Sequence, residues 1–398
     1  MTTILCTTTS YPPAIGGAQL HTHQIFRHLS PNYRVQVMTL WDQNRTDWLL
    51  GTTLRAPIDP QPYTLDGIEV GRLTLSPAER NRLRPSVWAY YLIKPLAIRR
   101  LARPFEAQLA PLAAAADIIH HARIGREPLG FASLQAARRR DIPFVLVPYH
   151  HPRWVGWHYR DYLQLYRAAD ALIALTETER RTLIELGVAP QRVFVTGNGP
   201  HLAETAHPAR FREAHALPAE VPLILFLGQK YPYKGIDPLL RAAPLVWQKY
   251  PQARFVFIGP RTAYSRKRFA PLTDPRLIEL DAVDVQTKTD ALAACAMLCL
   301  PSTQESFGGV FTEAWSLGQP VIGADIPAIR EVIDDGVNGY VLPVTPAALA
   351  ERIVHLLAHP ALAAQLGQAG QEKTARQYSW EKLAQKTEAV YTTVLRGI

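Results

Sequence analysis

Short apolar runs separated by longer stretches of helical period repeat along almost the whole chain. Residues 2–6 form the first run, and a helical pattern follows over 18–29 with Leu20, Ile25 and Leu29 as its buried stripe. Val35, Val37 and Leu40 mark the next strand. The segment 42–66 is polar and proline-rich and predicts no regular element. Ala-rich helices are expected around 87–115, ahead of strands at 117–120, 144–147, 171–175 and 193–195. Thr176, with Glu179 three residues on, reads as a helix N-cap. Residues 197–222, rich in Pro, Ala, Gly and charge, read as a linker. A second series begins at 223–227 and continues through 255–258, 296–300 and 320–323. It closes with an amphipathic helix from Tyr378 to Leu395, with Ser379 as its expected N-cap. Strands alternating with helices predict an α/β protein with mostly parallel sheets, drawn as two similar domains with a cleft between them. Ligands of such sheets bind at the carboxyl ends of the strands.

At 398 residues the chain is too long for one ordinary core, in keeping with two domains. A hydrophobic fraction of 47% against 19% charged describes a soluble globular protein and excludes a disordered one. The three cysteines, Cys6, Cys295 and Cys299, sit in apolar segments without disulfide or zinc spacing, as expected of a reducing cytoplasm. No basic region precedes an apolar core in the first residues, so no signal peptide is expected. The uncharged run 353–371 holds His355, His359, Pro360 and several glutamines, which argues against a membrane span. The net charge of +9 is concentrated in 78–104, where Arg80, Arg82, Arg84, Lys94, Arg99, Arg100 and Arg103 face the single acid Glu79. Trp88, Tyr90, Tyr91, Leu92 and Ile93 lie between them. Such a segment suits peripheral contact with an anionic membrane at the inner face, or else a core-facing helix with a solvated basic rim. No helix-turn-helix, zinc or RNA-binding signature is present, so nucleic acid is not an expected partner.

The chemistry concentrates after the strand ending at Leu300. The loop from Pro301 carries Glu305, then Phe307, Gly308 and Gly309 open a helix, and Glu313 lies within it. A helix start attracts anions and its glycines admit a phosphate to the backbone. Two glutamates beside it suit neutral hydroxyls, so a ligand with central phosphates and hydroxyl-rich ends, a sugar nucleotide, would fit. A glycosidase acid–base pair is the alternative for Glu305 and Glu313. Gln229, Lys230 and Lys234 follow the strand ending near Gly228 and would set positive charge against a diphosphate. Gly16-Gly17 opens the first helix without the dinucleotide-binding spacing. His120, His121, His150 and His151 lie near two strand ends, where they could orient or deprotonate an acceptor hydroxyl. No carboxylate or cysteine joins them at ligand spacing, and no metal site is expected.

Glu305 and Glu313, set in Pro301-Ser302-x-x-Glu305-Ser306-Phe307-Gly308, resemble the signature of family-4 retaining glycosyltransferases of the GT-B fold. Pro12-Pro13-x-x-Gly16-Gly17, Lys234-Gly235, Gly318-x-Pro320-Val321 and Ser379-Trp380 extend the resemblance over nearly the whole chain. It implies two Rossmann-like domains facing each other across a cleft. The first, 1–200, would bind the acceptor, 201–378 would bind the donor, and 379–398 would be a helix crossing back to the first domain. It also implies transfer of a sugar from a UDP-, GDP- or ADP-sugar to a glycan, lipid or small-molecule hydroxyl, with retention and without a metal or other cofactor. Glu313 would hold the ribose, Glu305 the transferred sugar, Lys234 the diphosphate, and the amides of Phe307, Gly308 and Gly309 the sugar or phosphates. Gly16 and Gly17 would let the diphosphate pack closely, and His120 would serve the acceptor side. Arginine is usual where Gln229 stands, so either Lys230 substitutes or diphosphate binding is weaker. The nucleobase would lie near 280–285. Acceptor-independent epimerisation or hydrolysis of a sugar nucleotide, or a non-catalytic nucleotide- or membrane-binding role, are the alternatives.

Overall fold

The computed structural model describes the chain except Ile15, 42–60, 124–125, 151–155, 157–158 and Ile398. It divides into two compact units, Met1–Gly197 with Trp380–Ile398, and Asn198–Ser379.

The first unit is built on β1 (Thr2–Ser10), β2 (Tyr33–Trp41), β3 (Tyr63–Leu65), β4 (Ile68–Arg72), β5 (Ile118–Ala122), β6 (Phe144–Val147), β7 (Ala171–Ala174) and β8 (Val193–Val195). Their order across the sheet is β3-β4-β2-β1-β5-β6-β7-β8. All pairings are parallel except the hairpin β3–β4. That hairpin lies at the end of the stretch expected to be irregular. Its Asp66-Gly67 turn, with φ of 48° and 79°, is the short hairpin signal, readable in the sequence and overlooked there. The helix Gly17–Arg27 follows β1, and the closing helix Trp380–Leu395 packs in the same unit, with Trp380 and Leu383 joining Cys6, Tyr11, Ile25, Phe26 and Val37 in one core cluster. A larger core on the other face gathers Leu101, Phe105 and Leu109 with Leu129, Leu146 and Leu165.

Two helices, Pro77–Trp88 and Lys94–Ala113, occupy the basic segment. The first starts at a capping box in which Ser76 and Glu79 satisfy each other's backbone, so the one acid there is a cap. The second buries Ala97, Ile98, Leu101, Ala102, Phe105 and Leu109, the core-facing arrangement. Thr176 caps the helix Glu177–Glu185 as expected, but the Glu179 carboxylate accepts from the amides of Leu175 (2.8 Å) and His150 (2.6 Å), tying two strand ends together.

His21, His120 and His121 are buried in this unit. His21 bonds the Tyr149 hydroxyl and the Gly197 carbonyl, His120 the Tyr391 hydroxyl, and His121 the Thr7 hydroxyl. Burial pushes them down, His21 to about 4 and His120 and His121 to about 3. In the unfolded chain these groups titrate near ~6.5. Below that pH the unfolded chain binds protons that the folded unit refuses, so stability falls as pH drops from about 6.5 toward about 4. Each ring contributes up to about 1.4 kcal/mol per pH unit. Melting curves of the protein should therefore shift steeply downward between about pH 7 and about pH 5. A flat profile across that range would mean that the rings protonate freely in the folded state.

The second unit holds β9 (Leu223–Leu227), β10 (Arg254–Ile258), β11 (Leu277–Leu280), β12 (Met297–Leu300), β13 (Val321–Ala324) and β14 (Gly339–Leu342), ordered β11-β10-β9-β12-β13-β14 and parallel throughout. The expected linker is partly helical. Pro208–Ala214 buries Phe211, and Arg212 donates to the carbonyls of Pro218, Val221 and Ala294. Arg210 pairs with buried Asp290 at 2.6 Å. The contacts with Ala294 and Asp290 come from residues some eighty positions away, which a local reading of Pro and Ala content does not include. Among the described residues no helix is long and apolar enough to cross a membrane.

Candidate functional site

In the second unit the chain winds outward from β9 to β10 and β11, then returns to the other side of β9 with β12, β13 and β14. The sheet order reverses between β9 and β12, so the loops leaving their carboxyl ends diverge and open a crevice there. The loop after β9 carries Gln229, Lys230 and Lys234; the loop after β12 carries Glu305. They are stitched together, with the Thr303 amide donating to the Tyr233 carbonyl at 2.8 Å. Gly235 makes that approach possible. Its φ is +81°, and a Cβ there would lie 2.2 Å from the Pro301 carbonyl oxygen.

Across this seam Lys234 Nζ lies 2.5 Å from Glu305 Oε1, both side chains being largely shielded. The two sequence-predicted residues of opposite charge are thus one ion pair. Beyond Glu305, Gly308 takes φ +80° and caps the helix Gly309–Ser316. The ring of Phe307 is buried edge-on against Tyr378 at 5.2 Å, so only its backbone is placed to meet a ligand. Gly309 begins the helix close to the Asn198 side-chain amide. The first amides of the helix have no intrahelical acceptor by construction.

Glu313, one turn into that helix, is buried, and its two oxygens differ. Oε1 accepts from Lys288 Nζ at 2.7 Å, while Oε2 is enclosed with no hydrogen-bond partner. Lys288 also donates to the His201 carbonyl. Lys288 was not singled out from the sequence. It stands in the helix Val285–Ala294, twenty-five residues before Glu313, and only the packing of that helix beside Gly309–Ser316 brings the two together.

Lys230 requires a correction. It is fully buried, and its ammonium is taken by the Glu279 carboxylate and the Leu280 carbonyl at the end of β11. Burial lowers its pKa below the usual lysine range despite Glu279. Arg261 reaches the same carboxylate. A lysine so engaged does not substitute for the arginine expected at Gln229, whose own side chain is exposed.

In the first unit the equivalent reversal of strand order lies between β1 and β5. Gly16 and Gly17 follow β1 there, Gly16 extended at φ −177° as the N-cap and Gly17 with open space where a Cβ would stand. His120 also requires a correction. Its ring is buried between Phe26 and Tyr391, with Nδ1 2.8 Å from the Tyr391 hydroxyl, so it is part of the core beneath the sheet end. His121 and His150 are buried as well, and His151 falls outside the described residues.

Two family models match in order along the chain: a glycosyl transferase 4-like domain over residues 16–199 and glycosyl transferases group 1 over 221–359. The phosphatidyl-myo-inositol mannosyltransferase of Mycobacterium tuberculosis is 33% identical over 229 residues, 56% of this chain and 59% of that protein. The D-inositol 3-phosphate glycosyltransferase of Thermobispora bispora is 32% identical over 251 residues, 59% of this chain and 58% of that protein. The matches thus span less than two thirds of these relatives' length. Among solved structures, Anabaena HepE in complex with UDP-glucose superposes with a TM-score of 0.76 at 19% identity, covering 99% of this chain and all of that one. Sucrose-phosphate synthase from Thermosynechococcus elongatus gives 0.76 at 20% identity over the full length of both. At such identity these two speak for the fold alone, two parallel-sheet α/β domains of the GT-B type. With that fold and with both models matched in sequence along it, the chain belongs to the group 1 glycosyl transferases, family 4 of the GT-B glycosyltransferases.

Proposed function

We propose that the protein is a retaining, metal-independent glycosyltransferase that moves a sugar from a nucleotide-sugar donor to a hydroxyl of a glycan or lipid-linked acceptor. The observation that carries this reading is the Glu313 carboxylate. One of its oxygens is held by Lys288, and the other is buried without a partner at the crevice of the second unit. An enclosed, unpaired carboxylate oxygen is costly, and a ribose hydroxyl would satisfy it. Lys234 and Glu305 lie on the loop seam beside the same helix start. An incoming diphosphate would draw the Lys234 ammonium from Glu305. The freed carboxylate would then accept hydrogen bonds from hydroxyls of the transferred sugar. In this reading the second unit binds the donor and the first receives the acceptor.

In the transfer step the acceptor hydroxyl oxygen bonds the anomeric carbon from the face the leaving group departs, as the carbon–oxygen bond to the diphosphate breaks. The acceptor proton passes to a leaving phosphate oxygen. Lys234 and the amides of Gly308 and Gly309 stabilise the charge developing there. The names of the curated relatives point to inositol-bearing acceptors as the first to try, and HepE, solved with UDP-glucose, points to UDP-sugars among the donors.

Labelled UDP-, GDP- and ADP-sugars incubated with and without acceptor test the proposal. Turnover should require an acceptor, the product should keep the donor's anomeric configuration by proton NMR, and a chelator should change nothing. Donor consumption without acceptor would instead identify an epimerase or hydrolase. Nucleotide binding without any turnover would identify a non-catalytic binder, and loss of activity on chelation would overturn metal independence.

A further inference from the structure

The basic segment of the first unit contains a feature that transfer chemistry does not use. Between the helices Pro77–Trp88 and Lys94–Ala113 the chain makes a tight turn and presents Trp88, Tyr91, Leu92, Ile93 and Leu96 to solvent, Trp88 at 79% and Leu92 at 86% of full exposure. Single exposed apolar side chains are ordinary, but five within nine residues form a patch. The turn is closed by its own hydrogen bonds. Its amides are satisfied locally: Leu92 and Ile93 both donate to the Ala89 carbonyl, at 2.9 and 3.0 Å. Beneath it, Lys94 is fully buried, with Nζ 2.8 Å from Glu127 and 2.8 Å from Asp161, while the Tyr90 hydroxyl donates to Glu127. The inward-facing polar residues anchor the turn and the apolar ones are held outward.

Among the described residues the charge around the patch is predominantly basic. Arg82, Arg84, Arg99, Arg100 and Arg103 are all exposed. Leu96, Arg99, Arg100 and Arg103 share one helical stripe, and Arg82, Arg100 and Arg103 line a common groove between the two helices. The acids nearby are engaged, Glu79 in the capping box and Glu106 with Arg139. A second copy of this chain would meet its own arginines across such a face. An anionic lipid surface complements both features: the interface accepts Trp, Leu and Ile side chains, and the phosphates meet the guanidinium groups. The Leu92 and Ile93 amides, bonded within the turn, enter the interface without losing water.

We propose that the turn 88–96, with its ring of arginines, is a preformed docking site for a membrane rich in anionic phospholipid. The docking is independent of the transfer reaction, so the test needs neither donor nor acceptor. The full chain is sedimented with vesicles of phosphatidylcholine alone, or of phosphatidylcholine and phosphatidylglycerol in equal parts. Binding is expected to the anionic vesicles and to fall by about tenfold or more in molar salt. Arg99→Gln with Arg100→Gln should weaken it by about tenfold or more, at about fivefold per arginine. Trp88→Ser with Leu92→Ser should do so at least as strongly, with an unchanged melting temperature, since both side chains are exposed. Failure of the unaltered protein to bind, equal binding to neutral vesicles, or undiminished binding by both variants would each overturn the assignment. In the first case an acidic protein partner becomes the occupant to seek.

Discussion

Glu305→Ala is expected to lower turnover of the nucleotide-sugar donor at least about a hundredfold while leaving the protein folded. Glu305 leaves the end of β12 at the strand-order reversal, and its carboxylate is the partner of Lys234. Its role in the proposed reaction is to fix the hydroxyls of the transferred sugar, so that the anomeric carbon sits against the acceptor and beside the diphosphate. Misplacement by about an ångström is enough for a loss of that size. The same substitution leaves Lys234 without its anion. Affinity for the free nucleoside diphosphate should therefore stay level or rise, because Lys234 no longer has to leave a carboxylate to reach a phosphate. The two readouts separate this role from general damage: an unfolded site would lose nucleotide as well as turnover. Wild-type rates in the variant, or a parallel loss of nucleotide affinity with a lowered melting temperature, would refute the assignment. Lys234→Ala should give the complementary pattern, losing both turnover and diphosphate affinity.

The second large effect concerns stability. Lys94→Met should destabilise the first unit by about 3–5 kcal/mol. Lys94, Glu127 and Asp161 form a cluster with almost no solvent contact, in which one ammonium serves two carboxylates. Removing the cation leaves two buried carboxylates with only Arg160, 4.0 Å from Asp161, as a paired cation, which costs more than the pair contributes when intact. The triple variant Lys94→Met, Glu127→Gln, Asp161→Asn removes the charges together and should recover much of the loss. Denaturant melts of the three proteins decide it. If Lys94→Met unfolds like the unaltered protein, the cluster is open to water. If the triple variant is no better than the single one, the cost is lost packing.

The candidate site was legible to an unequal degree. Lys234, Glu305, Gly308, Gly309 and Glu313 could be picked out because each belongs to a strand–loop–helix passage whose order in the chain is its order in space. The parts that failed depend on partners from other passages. Lys230 looks like a second loop cation until Glu279 and the Leu280 carbonyl at the end of β11 claim its ammonium. Lys288 is an ordinary helix lysine until Glu313 lies beside it. His120 was expected to end a strand, but β5 runs on to Ala122, and the closing helix covers the His120 ring with Tyr391.

The sequence by itself determined the alternation of strands and helices, two α/β units and the glutamate-bearing helix start, because these follow from periodicity, glycine placement and chain order. Tertiary structure alone decided which polar groups are spent inside. The turn at 88–96 shows why. By residue type, Lys94 belongs in water and Trp88 and Leu92 in a core, and the fold inverts both. Burial depends on what the rest of the chain brings to a position: two carboxylates from distant elements make the interior habitable for the lysine, and among the described residues the tryptophan and the leucine stay exposed.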